Sequence, residues 1–393
     1  MPNNNMNKIN DVNALKDRYT RGSLTPLKSE YRIKSLVIIA EKLREEALKR
    51  KDPEFLGLAV FYTKIAKKYS QWLDSIISTS MPKGIIFIVA SSNIELISLY
   101  NWGISFLCGN ITIARISRRV QMKRINRILN IIKDVLKNDF NDVFFQDDEC
   151  NNTTRAATSI CDVRILWGSN KSIEEIKKEY ASSMQEDIAF ASRKSMTLIN
   201  ANALLGSTYS EKNMLIKNLW NDTLELSFNA CSSPHKICII GKQPEREKSF
   251  QELLDRLRDK CKKESILNGF ITTNNLLETQ LKAITTGNYK ACHELRGKLI
   301  NIAPKIKEVE NSVSVELIGV DTLDQMMVIM KRTQPQTLTY YGLGRKELKE
   351  LVYKEDSYKP DRLEKVGNAL NFDVIWDGIN LFERLSKQVN YDI

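Results

Sequence analysis

Around position 231 the chain reads Phe228-Asn229-Ala230-Cys231-Ser232-Ser233-Pro234, a thiol flanked by small residues that allow close approach of the backbone. A thiolate there would be a nucleophile. The competing reading is an inert cysteine packed at a helix end, because free cysteines are commonly buried. Cys231, His235 and Cys238 also form a C-x3-H-x2-C string. Thiolate and imidazole suit zinc, but no fourth ligand with matching spacing accompanies them and Cys292-His293 is distant, so no metal is assigned. A third feature is the basic segment Arg118, Arg119, Lys123, Arg124, Arg127, Lys133 and Lys137. It is either a solvated helix face or a surface for anions.

Composition bounds these readings. The chain has 393 residues, enough for two or three domains, so two lobes with a cleft are expected. Hydrophobic residues at 42% and charged residues at 27% suit a globular protein with a sizeable core. The apolar run Ile85 to Ala90 is far shorter than the roughly 20 residues of a bilayer span, so none is expected. Met1 to Asp11 lacks the features of a signal or transit peptide, and the cytoplasm is the expected compartment. The net charge of +11 points to anionic partners without naming them. Seven cysteines with no CxxC pair fit reduced thiols better than a disulfide framework.

The elements that must position these residues follow from periodicity. Residues 1–30 have no sustained apolar period and read as an arm. Ile33, Leu36, Val37, Ala40, Leu43 and Ala47 recur at helical spacing, and Asp52-Pro53 announces a second helix as N-cap and first residue. The run 85–90 reads as a buried parallel strand. A helix over 95–108 ends at Gly109-Asn110, then come a strand over 111–116, a basic amphipathic helix over 120–137 and a short strand over 143–146. A helix over 152–160, a strand over 163–166 and a helix from Ser172 follow. The alternation predicts an α/β fold with a doubly wound, mostly parallel sheet. A second α/β region begins near Phe190, with strands over 195–200, 236–241 and 313–320 and helices over 213–228, 250–263 and 274–286; a closing segment spans 368–389.

Five short motifs occur in order: Ala90-Ser91-Ser92-Asn93, Leu107 to Ser117 with Gly109-Asn110 and Arg115, Leu166-Trp167-Gly168-Ser169, Ala230-Cys231-Ser232-Ser233-Pro234, and Ile375-Trp376-Asp377-Gly378. Together they resemble the bacterial luminescence-type fatty acyl-CoA reductases, a branch of the aldehyde dehydrogenase superfamily, over residues 30–389. The resemblance implies two Rossmann-like α/β domains with parallel sheets and a cleft between them. The expected division is an arm over 1–30, a cofactor-binding domain over 31–189 to which 365–393 returns, and a catalytic domain over 190–364.

The resemblance also implies chemistry. Cys231 becomes the nucleophile that takes the acyl group from the thioester, and Asn93 the amide that holds the oxyanion. Arg115, Ser117, Arg118, Gly168 and Ser169 fall at cofactor-binding positions. Where relatives carry a Lys and often a Glu, this chain has Arg115 and Arg118, a change that favours the 2′-phosphate of NADPH over the free hydroxyl of NADH. Gly168-Ser169 matches the turn near the pyrophosphate; no GxGxxG is present. Hydrolytic relatives place a glutamate base before a Gly-Gly-Lys turn, and here Phe190 stands there. His235 departs from the relatives' pattern.

The expected activity is therefore an NADPH-dependent reduction of a fatty acyl-CoA to an aldehyde. An acyl carrier protein or an acyl-protein synthetase partner is the alternative acyl source. A homo-oligomer is expected by superfamily analogy. The opposed reading, a nucleic-acid or anionic-surface binder, rests on the basic segment alone and lacks a recognisable nucleic-acid motif, so no nucleic acid is assigned.

Overall fold

A computed structural model describes residues 11–17, 27–76, 79–146, 152–178, 184–223, 230–263, 299–301, 314–354 and 358–389. The helix expected over 274–286, the end of the one over 213–228, and Cys150, Cys292 and His293 lie outside the described residues. Two compact units form, Met1–Ser192 with Phe372–Ile393, and Arg193–Asn371.

The first unit opens with α1 (Ser29–Arg50) and α2 (Pro53–Ser75). Asp52 caps α2 by accepting the N–H groups of Glu54 and Phe55, with Pro53 at the first helical position where its missing N–H is harmless. Then follow β1 (Thr79–Pro82), β2 (Ile85–Val89), α3 (Ile97–Leu107), β3 (Ile111–Arg115), α4 (Met122–Leu136), β4 (Val143–Phe145), α5 (Asn152–Ile160), β5 (Val163–Trp167), α6 (Asn170–Lys177) and β6 (Glu186–Phe190). The sheet order is β4-β3-β2-β5-β6, every pair parallel. Strand β2 is buried on both faces, which explains its unbroken apolar run. Ile86 and Ile88 join a cluster with α1 to α4, whereas Ile85, Phe87 and Val89 join one with α5 and α6.

The second unit contains β7 (Ser195–Asn200), α7 (Ala201–Gly206), α8 (Tyr209–Thr223), β8 (Pro234–Ile240), α9 (Gln243–Lys263), β9 (Leu299–Asn301), β10 (Ser314–Val320), α10 (Leu323–Thr333), β11 (Thr337–Tyr341), α11 (Arg345–Tyr353) and β12 (Arg362–Lys365). Its sheet runs β12-β11-β7-β8-β10-β9, five parallel strands with β9 antiparallel at the edge. The chain then returns to the first unit through β13 (Ile375–Trp376), β14 (Ile379–Asn380), α12 (Leu381–Arg384) and β15 (Ser386–Val389), which pairs antiparallel with β1. The Asp377-Gly378 pair closes a two-residue hairpin between β13 and β14, both residues having positive φ (50° and 73°), as a type I′ turn requires.

The α/β alternation is present, with differences at polar elements. Within the expected arm, residues 11–17 are helical, and Val12 and Leu15 are buried against the first sheet; one apolar pair is too short a signal to read as a period. Strand β6 carries Glu186 and Asp187 at the sheet edge, and β1 and β15 are short, so none shows a strand period in sequence. Phe190 is the last residue of β6 and belongs to the first unit.

Gly109-Asn110 forms a Schellman end to α3. Asn110 N–H donates to Ser105 O (3.1 Å) and Gly109 N–H to Phe106 O (3.0 Å), with Gly109 at φ 85°. A Cβ on Gly109 would lie 2.6 Å from the Arg32 guanidinium, whose Nε donates to Leu107 O (2.8 Å). Gly109→Ala should therefore destabilise the protein by about 1–3 kcal/mol, read as a lower urea midpoint; an unchanged midpoint would contradict this role.

Asp222 on α8 is 1% exposed and accepts the N–H groups of Gly367 (2.6 Å) and Ala369 (3.0 Å). Burial pushes its carboxyl up to about 6, against the opposing pull of those bonds and of Arg362. The folded state thus holds the proton more firmly than the unfolded one. The resulting stability, about 2–3 kcal/mol, is complete below the ordinary value near 3.8 and is lost as pH rises through about 6. Denaturation midpoints of wild type and Asp222→Asn at pH 4.5 and 7.5 should show the wild type gaining on the variant in acid. A constant difference would refute the assignment.

Candidate active site

In the first unit the chain adds β3 and β4 on one side of β2, then returns to add β5 and β6 on the other. Such a switch point leaves a crevice at the carboxyl ends of the strands, where doubly wound sheets take ligands. Asn93 lies in the loop after β2, Arg115 ends β3, Ser117 and Arg118 follow it, and Gly168-Ser169 follows β5. One edge of one sheet thus gathers Asn93 and all the positions expected to bind the cofactor.

These loops are anchored locally. Ala90 N–H donates to Arg115 O (3.0 Å), and Ile116 N–H to Phe145 O (2.7 Å). The Gln146 amide donates to Ser117 O (2.9 Å) and Val120 O (2.8 Å), while Ser117 Oγ accepts the Arg119 N–H (3.3 Å). Gln146 is a positioning residue that sequence reading missed, since nothing local distinguishes a glutamine at a strand end. Arg115 is half-buried and Arg118 exposed.

Ser169 caps α6 through its Oγ, which accepts the Ser172 N–H (3.2 Å). The N–H groups of Asn170 and Lys171 occupy the first two helical positions, which have no intrahelical acceptor. A Cβ on Gly168 would meet only ordinary contacts, the nearest at 3.5 Å. Nothing in the fold demands glycine there, and the missing side chain leaves the backbone open to a bound group. The edge suits a phosphorylated nucleotide on these grounds. Phe190, 2% exposed, stacks on Trp167 with ring centroids 4.2 Å apart; a carboxylate in its place would be buried against an aromatic ring.

In the second unit Cys231 lies on a turn just before β8, at the amino edge of the sheet. Its neighbours Ala230, Ser232 and Ser233 are buried and Cys231 itself is half-buried. Cys108, Cys161 and Cys238 are all buried, and burial pushes the Cys108 and Cys161 thiols up to about 12, so neither ionises near neutrality. His235 falls at a register irregularity, where Ser195 faces Pro234 and Met196 faces Lys236, whereas Cys238 lies in the regular part of β8 and packs among Met196, Leu198 and Met330. Among the described residues no group of three or more His, Cys, Asp or Glu side chains is placed to hold a metal ion.

Ser195, fully buried at the start of β7, holds the Cys231 turn. Its Oγ donates to Cys231 O (2.7 Å) and accepts the Thr337 N–H from β11 (3.1 Å). Strand β7 also carries Thr197 and Asn200, so nothing local marks Ser195. Ser195→Ala leaves a carbonyl and an N–H without their partner, and should cost about 1–3 kcal/mol while changing the alkylation rate of Cys231, followed by mass spectrometry of its peptide. Ser195→Thr should restore the wild-type rate. An unchanged rate in the alanine variant would show that the turn holds without Ser195.

The fold is that of the aldehyde dehydrogenases. A lactaldehyde dehydrogenase matches 99% of this chain over 91% of its own at TM-score 0.67 and 11% identity. Glyceraldehyde-3-phosphate dehydrogenase GapN of Methanocaldococcus jannaschii, determined with NADP, matches 99% over 94% at TM-score 0.65 and 12% identity. An aldehyde dehydrogenase of Mycobacterium tuberculosis, determined with NAD+, matches 96% over 88% at TM-score 0.66 and 11% identity. At such identities the likeness concerns architecture. The family model for acyl-CoA reductase (LuxC) matches residues 24–267, and the chain belongs to that family of oxidoreductases. No curated protein matches the chain significantly. No helix among the described residues is long and apolar enough to cross a membrane.

Proposed function

We propose that the chain reduces long-chain fatty acyl-CoA thioesters to aldehydes with NADPH, through an acyl group carried on Cys231. The observation that carries this reading is the contrast between Cys231, half-buried on an anchored turn, and the buried thiols of Cys108, Cys161 and Cys238, in a chain of the acyl-CoA reductase family.

The Cys231 thiolate attacks the thioester carbonyl, forming a new C–S bond and placing negative charge on the carbonyl oxygen. Collapse of that oxyanion expels the CoA thiolate and leaves the acyl thioester on the protein. The side-chain amide of Asn93 and the Cys231 N–H donate hydrogen bonds to the oxyanion. When bound, NADPH supplies the hydride that converts the acyl group to aldehyde and restores the Cys231 thiolate. Arg115 and Arg118 would hold its 2′-phosphate, and the turn at Gly168-Ser169 would receive its pyrophosphate. Phe190 supplies no base to activate water, so the acyl group survives until it is reduced. An acyl group delivered by an acyl carrier protein or an acyl-protein synthetase would enter by the same attack.

The test is the fall in reduced-nicotinamide absorbance with long-chain acyl-CoA. NADPH should be preferred to NADH, Cys231→Ala should abolish turnover, and Asn93→Ala should lower kcat about 100- to 1000-fold. Full activity in Cys231→Ala would overturn the covalent route, and equal rates with NADH would remove the role given to Arg115 and Arg118.

A further inference from the structure

A cavity of about 510 Å3 opens in the first unit between the loop after β2 and the start of α4, lined by Ser92 and Glu95 on one side and by residues 119–121, Lys123, Arg124 and Arg127 on the other. Its charges are unequally committed. Arg124 is held by Asp52 (3.3 Å), Glu54 (3.0 Å) and Glu95 (2.8 Å), so the cavity's own carboxylate is already neutralised. Arg119, Lys123 and Arg127 make no ion pair with described residues. The nearby Glu46 carboxyl is lowered by its hydrogen bond to Arg50 first and feels Arg127 only weakly, so it does not cancel that charge.

Three cations turned into one concavity repel one another. Two of the cavity's four, Lys123 and Arg124, also sit in the first turn of α4, which contains no acidic residue, and there they oppose the helix dipole. Arg124 offsets this through its three carboxylates, whereas Arg119, Lys123 and Arg127 have no ion pair among the described residues, so the concavity is a site for a compact anion. The lining has no aromatic side chain and a single apolar one, Val120, which suits recognition by charge and excludes an acyl chain or a stacked base. Its volume is ample for a phosphate group and far too small for a duplex. The cavity lies at the carboxyl edge of the sheet beside β3, displaced from the turn after β5.

We propose that this cavity binds the phosphate monoester of a nucleotide, either the 2′-phosphate of NADPH or the 3′-phosphate of CoA, through Arg119, Lys123 and Arg127. The proposal rests on the reading that the chain uses these two nucleotides, and it adds residues of α4 to their recognition.

Calorimetric titration of the full chain with NADPH against NADH, and with CoA against dephospho-CoA, isolates the phosphate because each pair differs only there. In wild type one pair should show an affinity gain of about tenfold or more from the phosphate. Lys123→Gln combined with Arg127→Gln should cut that gain severalfold while leaving the phosphate-free partner's affinity unchanged. The pair affected identifies the source. Both side chains stand outside ion pairs among the described residues, and circular dichroism of the double variant verifies its fold. A phosphate gain undiminished in the double variant, or its absence in both wild-type pairs, overturns the proposal. Binding needs no turnover, so failure of acyl-CoA reduction leaves this result readable, and retention of the gain leaves reduction through Cys231 standing.

Discussion

One buried amide ties the first unit together. Asn110, 6% exposed, accepts the Gly84 N–H (3.0 Å) through its oxygen and donates to Leu385 O (2.8 Å) through its nitrogen. Its backbone meanwhile closes α3, so the entry to β2, the exit from α3 and the returning C-terminal segment meet at one residue. The loop carrying Asn93 leaves β2 and enters α3, and β3 with its basic exit starts at the next residue. A buried amide whose partners were removed would leave several polar groups unsatisfied, which is the energetic reason the junction tolerates little change.

Parallel sheets then decide where chemistry sits. In the first unit the carboxyl edge collects loops from β2, β3 and β5, and the flanking helices supply N-termini and cations. In the second unit the cysteine turn lies at the opposite, amino edge of its sheet, and Ser195 holds it by bonding two strands' worth of backbone at once. The same burial that makes the sheets also sorts the thiols. Cys108, Cys161 and Cys238 lie within packed layers, while the turn before β8 keeps Cys231 half-buried.

Much of this was legible from residue order. Asp52-Pro53 marked the start of α2, the run from Ile85 marked the central strand, and Gly109-Asn110 marked the end of α3, because each signal is local. Strand β6, with acids at a sheet edge, and the short pair β1 and β15 were not legible, since their strand state depends on partners far along the chain. The roles of Gln146 and Ser195 were hidden for the same reason: their partners are backbone groups that only tertiary structure brings near.

The central claim is that Cys231 carries the acyl group. Incubating the protein with long-chain acyl-CoA in the absence of any reductant, followed by mass spectrometry of its peptides, tests that claim without reference to cofactor. The account predicts one acyl adduct on the peptide containing Cys231, released by hydroxylamine as a thioester must be. An adduct on a different cysteine, or none on Cys231 while free CoA accumulates, would contradict it.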